Sequence, residues 1–133
     1  MLPPLNDDGY LPPGVHPAML VEIAQRFGES SDLRRAEMES IGWLADLARR
    51  AGAQRMVING SFVSDKLEPN DVDCVLLVGT DYPRDAGADA ELHAGLPFIE
   101  LKRVRHDQFD LFVNEIYATD RSNTPKGMIE VVL

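Results

Sequence analysis

The stretch Val57-Ile58-Asn59-Gly60-Ser61-Phe62-Val63, followed after a short polar loop by Pro69-Asn70-Asp71-Val72-Asp73-Cys74-Val75-Leu76-Leu77, decides how this chain folds. Its first half is an apolar run halted by Gly-Ser, and its second half opens on acids and turns apolar from Cys74 onward. Short apolar runs bounded by turn residues read as strands. One strand is therefore expected at Arg55–Asn59 and another at residues 71–78, the latter apolar enough to lie centrally in a sheet with both faces covered. Alternate side chains of a strand share a face, so Asp71 and Asp73 project together, about 6.5–7 Å apart along the strand. Two carboxylates so placed suit Mg²⁺, a hard cation usually held by one or two carboxylates together with substrate phosphates. Gly60 lets the backbone approach a phosphate closely, and Ser61 offers a hydroxyl and an N–H.

Upstream, two helices are expected. Pro17 suits a first helical turn, and Leu20, Ile23, Ala24 and Phe27 follow at helical spacing before Gly28, which places a short helix at residues 16–27. Ser30, Ser31 and Asp32 are N-cap candidates for a longer one. Its apolar stripe is Met38, Ile41, Leu44, Ala45 and Ala48, Trp43 reads as a packing residue, and Gly52 ends it. The Pro- and Gly-rich segment 1–15 is irregular, with Leu2, Leu5, Tyr10 and Leu11 laid against the domain.

Downstream, residues 80–95 read as a loop with at most a short helix. Residues 98–104 and 109–117 read as strands, and 128–133 as a terminal strand. The whole is one α/β (α+β) domain over residues 1–133, a mixed sheet backed by helices.

Composition bounds the function. Thirteen basic residues against 22 acidic ones, a net charge of −9, argue against duplex nucleic acid as a partner. The single cysteine, Cys74, excludes an internal disulfide and fits a reducing compartment. No apolar run reaches the roughly 20 residues that span a bilayer. Met1 to Tyr10 has no basic region of the secretory type, so the expected location is cytoplasmic. Ser61 lies outside any Gly-x-Ser-x-Gly elbow, and no Gly-Lys-Ser/Thr loop is present. His16, His93 and His106 show no metal-ligand spacing, and Cys74 reads as a small core residue.

With Gly60-Ser61 and Asp71-Val72-Asp73 separated by the nine residues 62–70, the chain resembles the DNA polymerase beta-like nucleotidyltransferase superfamily. The likeness covers roughly residues 33–114. It is greatest to the minimal single-domain bacterial members, among them those encoded beside small helical toxin proteins, and extends to an uncharacterised family of that type. The resemblance implies a nucleotidyltransferase-like sheet and a third carboxylate on a later strand. The match is Asp110 in Gln108-Phe109-Asp110-Leu111-Phe112-Val113, with Asp107 competing for the role. A carboxylate embedded in an apolar strand is costly without a partner, and a metal would be that partner. Minimal members carry an arginine soon after Gly-Ser. Here Lys66 is the first basic residue, a point charge instead of a guanidinium fork.

The expected site is thus Asp71, Asp73 and Asp110 as catalytic and metal-holding acids, with Gly60, Ser61 and Lys66 on the nucleotide. The expected cofactor is Mg²⁺ or Mn²⁺, with an NTP as substrate. The reaction implied is transfer of a nucleoside monophosphate to a hydroxyl on a partner protein or a small molecule. The alternative is a catalytically weak module of the same fold that binds a protein partner, as an antitoxin-like or regulatory subunit does.

Overall fold

A computed structural model describes residues 1–133. The chain runs β1 (Gly14–Ala18), α1 (Leu20–Phe27), α2 (Asp32–Ala51), β2 (Arg55–Asn59), β3 (Val72–Leu77), α3 (Ala86–Ala94), β4 (Ile99–Val104), α4 (His106–Leu111) and β5 (Gly127–Val131). The capping residues do what their chemistry dictates in α2. Ser31 accepts the Arg34 N–H at 3.1 Å. At the other end Gly52, in the left-handed region at φ 91°, closes the helix onto Ala48 and Arg49.

The five strands form one mixed sheet in the order β1-β5-β2-β3-β4. The β1–β5 and β3–β4 pairs are parallel, and β2 is antiparallel to both its neighbours. Strand alternation then sorts the side chains. Met56, Ile58, Val72, Cys74, Leu76, Ile129 and Val131 face α1 and α2 and build the main core with Ile23, Phe27, Ile41, Leu44 and Ala48. Val57, Val75, Leu77 and Met128 face the other way, into a smaller core capped by Phe109 and Tyr117. This is the single α/β domain expected, and no helix is long and apolar enough to cross a membrane.

Three expectations are corrected. Residues 14–18 are a strand, and the first helix starts only at Leu20. Pro17 is tolerated there because β1 lies at the sheet edge, where one side of the strand needs no N–H donor. Residues 109–117 are not a strand: α4 is followed by a π-helical turn over Phe112–Ile116. Phe109, Phe112, Val113 and Tyr117 recur at helical spacing, and packing that stripe on the second sheet face decides the conformation. Trp43 is half exposed on α2 and not a core residue. The 80–95 segment does contain a helix, the nine-residue α3, capped by the Asp85 side chain at 3.0 Å from Ala88 N.

Two buried charges on α2 organise the loop after β2. The Arg34 guanidinium donates to the carbonyls of Phe27, Ser61, Phe62, Ser64 and Lys66 and lies over the Phe62 ring. One turn further, Glu37 is wholly buried and neither carboxylate oxygen has a hydrogen-bond partner. Burial pushes its carboxyl up to about 7, with the charges of Asp71 and Glu68 adding and Arg34 opposing. A folded-state value above the unfolded one means that Glu37 destabilises the fold as pH rises through 7 and is harmless below about 4.5. Glu37→Gln should therefore match the parent protein in thermal stability at about pH 4. At pH 8.5, in chelator, it should exceed it by on the order of 2–3 kcal/mol. A difference that does not change between the two pH values would exclude a buried, titrating Glu37.

Candidate functional site

The site grows out of register. Asn59 on β2 is opposite Asp73 on β3, and Asp73 is opposite Glu100 on β4. Directly paired residues share a face, so the three side chains form a row across one end of the sheet, on the side of the smaller core. Asp71, two residues before Asp73, joins them. One oxygen each from Asp71, Asp73 and Glu100 lies within 4.8 Å of the others. Gly60 follows β2 at φ 91°, and a Cβ there would sit 2.8 Å from Asp73 Oδ2. Glycine is thus required at position 60 by its left-handed backbone and by the Asp73 carboxylate packed against it.

Crowding sets the electrostatics. The Asp73 carboxyl is pushed up to about 6, first by burial, then by a hydrogen bond with Glu100 and the charges of Asp71 and Glu100; Lys126 opposes. Lys126 is half-buried and donates to Asn59 Oδ1 at 3.2 Å. Burial lowers its ammonium, while Asp73 and Asp120 act to raise it. The Tyr117 phenol is pushed up, mainly by burial and then by Asp73, Cys74 and Glu100, so it stays protonated beside the acids. Cys74 points to the opposite face, fully buried, and burial pushes its thiol well above the ordinary range. Nucleophilic sulfur chemistry needs the thiolate, so Cys74 is a packing residue as expected.

Of the residues singled out from sequence, Gly60, Ser61, Asp71 and Asp73 come together. Ser61 opens a single 3₁₀ turn, Ser61–Val63, and its carbonyl accepts from Ser64 Oγ at 2.6 Å. Asp110 does not join them. It is exposed on α4, and its charge is felt by Arg55, which pairs with Leu77 at the far end of β3. Four residues of strand put that end about 13 Å from Asp73. Asp107 lies at the same far end, lining a cavity of about 360 Å³ with Gln54, Arg105 and His106. Glu100 is the third acid.

Lys66 is also displaced. It is exposed in the loop, and with Arg26 and Arg34 it lines a second cavity, on the side of α1 and α2. The cation that Asp73 senses is Lys126. Glu100 had a signal in the sequence, an acid inside an expected strand. Lys126 had none, because its position depends on a turn closed by Asp120: its carboxylate accepts from Ser122 and Thr124 N–H, and Lys126 N donates to Ala118 O.

The fold and site define an α/β domain with a mixed sheet and a three-carboxylate cluster at one sheet end. The chain belongs to a family of unknown function (DUF6932), whose model matches residues 3–132. No curated protein and no solved structure matches it.

Proposed function

We propose that the protein is a divalent-metal-dependent nucleotidyltransferase that moves a nucleoside monophosphate from an NTP to a hydroxyl on a protein or a small molecule. The observation that carries this is the convergence of Asp71, Asp73 and Glu100 beside the Gly60-Ser61 turn, with the Lys126 ammonium near enough for Asp73 to feel.

The residues fit a divalent cation of the Mg²⁺ or Mn²⁺ kind. Oxygens bound to one Mg²⁺ lie about 3–4 Å apart, given bond lengths of about 2.1 Å, so the carboxylates need only small shifts. The Asp73 carboxyl is raised by burial and then by Glu100 and Asp71, which supports a further positive charge being favourable there. When bound, the cation supplies charge neutralisation at the reacting phosphate.

The chain's own groups do the rest. Gly60 and Ser61 present backbone and hydroxyl donors to the phosphates. Glu100, the most exposed acid of the three, is the one that an acceptor hydroxyl reaches, and it takes the hydroxyl proton. The acceptor oxygen forms a bond to the α-phosphorus, the bond to the bridging oxygen breaks, and pyrophosphate leaves. Catalysis of this kind is mostly positioning and charge placement, which a rigid strand register provides.

The test is incubation with α-labelled ATP, CTP, GTP or UTP and Mg²⁺ or Mn²⁺ in lysate. Label should pass to an acceptor with the parent protein and not with Asp73→Asn. Absence of nucleotide binding together with absence of a Mg²⁺-dependent thermal shift would sink the proposal.

A further inference from the structure

We infer that Lys126 receives the polyphosphate of the incoming substrate, and that it does so only after a divalent cation has occupied the acids; this rests on the nucleotidyltransferase reading above.

A structural lysine is normally spent on a carboxylate, as two arginines of this sheet are: Arg55 meets Glu130 and Arg103 meets Asp89, each at 2.6 Å. Lys126 makes no ion pair, although Asp73 and Asp120 are near enough to be felt. Its only protein acceptor is Asn59 Oδ1. An ammonium has three donors, so two remain for a ligand.

The side chain is also held in place. The turn before it is closed by Asp120 on Ser122 and Thr124. Asp120 in turn accepts from Tyr10 OH at 2.7 Å, which ties the turn to the N-terminal segment. The Asn59 that holds the ammonium is the register partner of Asp73. A half-buried, pre-positioned cation with free donors beside an acid cluster is suited to an anion that spans both.

The order of binding follows from charge. Lys126 feels two carboxylates, Asp73 and Asp120, and Asp73 is clustered with Asp71 and Glu100, so a bare polyanion is repelled. A divalent cation on the acids cancels most of the cluster's negative charge and offers the phosphate oxygens a direct partner beside the ammonium.

The experiment uses the full chain and two probes, Mn²⁺ alone by electron paramagnetic resonance and tripolyphosphate by calorimetry, with Mn²⁺ or with EDTA. Tripolyphosphate should bind with Mn²⁺ and not with EDTA. Lys126→Met should weaken that binding about 10- to 100-fold, the size of one lost charge-assisted hydrogen bond, while Mn²⁺ alone binds at least as tightly as before. Lys126→Gln, which keeps a donor for Asn59, should show the same loss and guards against a folding defect. Lys66→Met should change nothing. Equal tripolyphosphate binding by Lys126→Met, no binding by the parent protein, or binding that survives EDTA overturns the inference. Label transfer is read separately. Transfer without a Lys126 effect sinks the inference and spares the reaction. Tripolyphosphate binding through Lys126 without transfer to any acceptor does the reverse.

Discussion

Arg34→Ala should lower the unfolding free energy by about 4 kcal/mol, read as a shifted urea midpoint with an unchanged slope. The side chain is 3% exposed and serves five carbonyls at once, four of them in the loop from Ser61 to Lys66. Removing it leaves these acceptors facing a cavity. Each buried acceptor left unmade costs on the order of 1–3 kcal/mol, and loop relaxation toward water recovers part of the sum. Loss of contact with the Phe62 ring adds to it. Arg34→Lys should recover less than half of the deficit, since three ammonium donors from one point cannot reach five carbonyls. A cost under about 1 kcal/mol would mean that the loop holds itself. The loop leads from Gly60 to Asp71, so this variant should also weaken Mn²⁺ binding.

Glu100→Gln should reduce label transfer at least about 100-fold, the scale of removing one preorganised charged group from a reacting centre, whereas Asp110→Asn should leave it within about twofold. The pair separates two ways of completing the acid set. Glu100 has a carboxylate oxygen within 4.8 Å of those of Asp71 and Asp73. Asp110 is an exposed helical residue near Arg55. Glu100→Gln also removes the hydrogen-bonded, like-charged neighbour that raises Asp73. In the absence of metal, the Asp73 carboxyl should therefore move back toward the ordinary carboxylate range, which carboxyl NMR can follow. Equal losses from both substitutions would show that α4 closes over the site in solution.

What could be read in advance was local. The Ser31 and Gly52 caps, the Met38–Ile41–Leu44 stripe and the apolar runs at 56–58 and 74–77 each carry their own conformational signal, and each stands where it was expected. The N-terminal strand was missed because Gly14–Ala18 is extended only through its pairing with Gly127–Val131, over a hundred residues away. Residues 109–117 are apolar enough to read as a strand, and only packing of Phe109, Phe112, Val113 and Tyr117 on the second sheet face selects the helical period. Asp71 and Asp73 were legible because both belong to one short motif. Glu100 needed the parallel β3–β4 register, and Lys126 needed a turn formed elsewhere. Motif chemistry within one strand survives in one dimension; chemistry assembled between strands does not.

The place of β5 sets a timetable for the molecule's making. It is the last of this sheet's five strands in chain order, yet it lies between β1 and β2 and is the sole partner of β1. Residues 14–18 must therefore wait as unpaired chain until residue 131 clears the ribosome, and closing so long a loop makes for slow completion of the sheet. The acids of the site arrive on strands finished by residue 104, while Lys126 arrives with the final strand. A nascent chain thus carries its negative cluster before the cation that complements it, and gains that partner only in the step that seals the sheet.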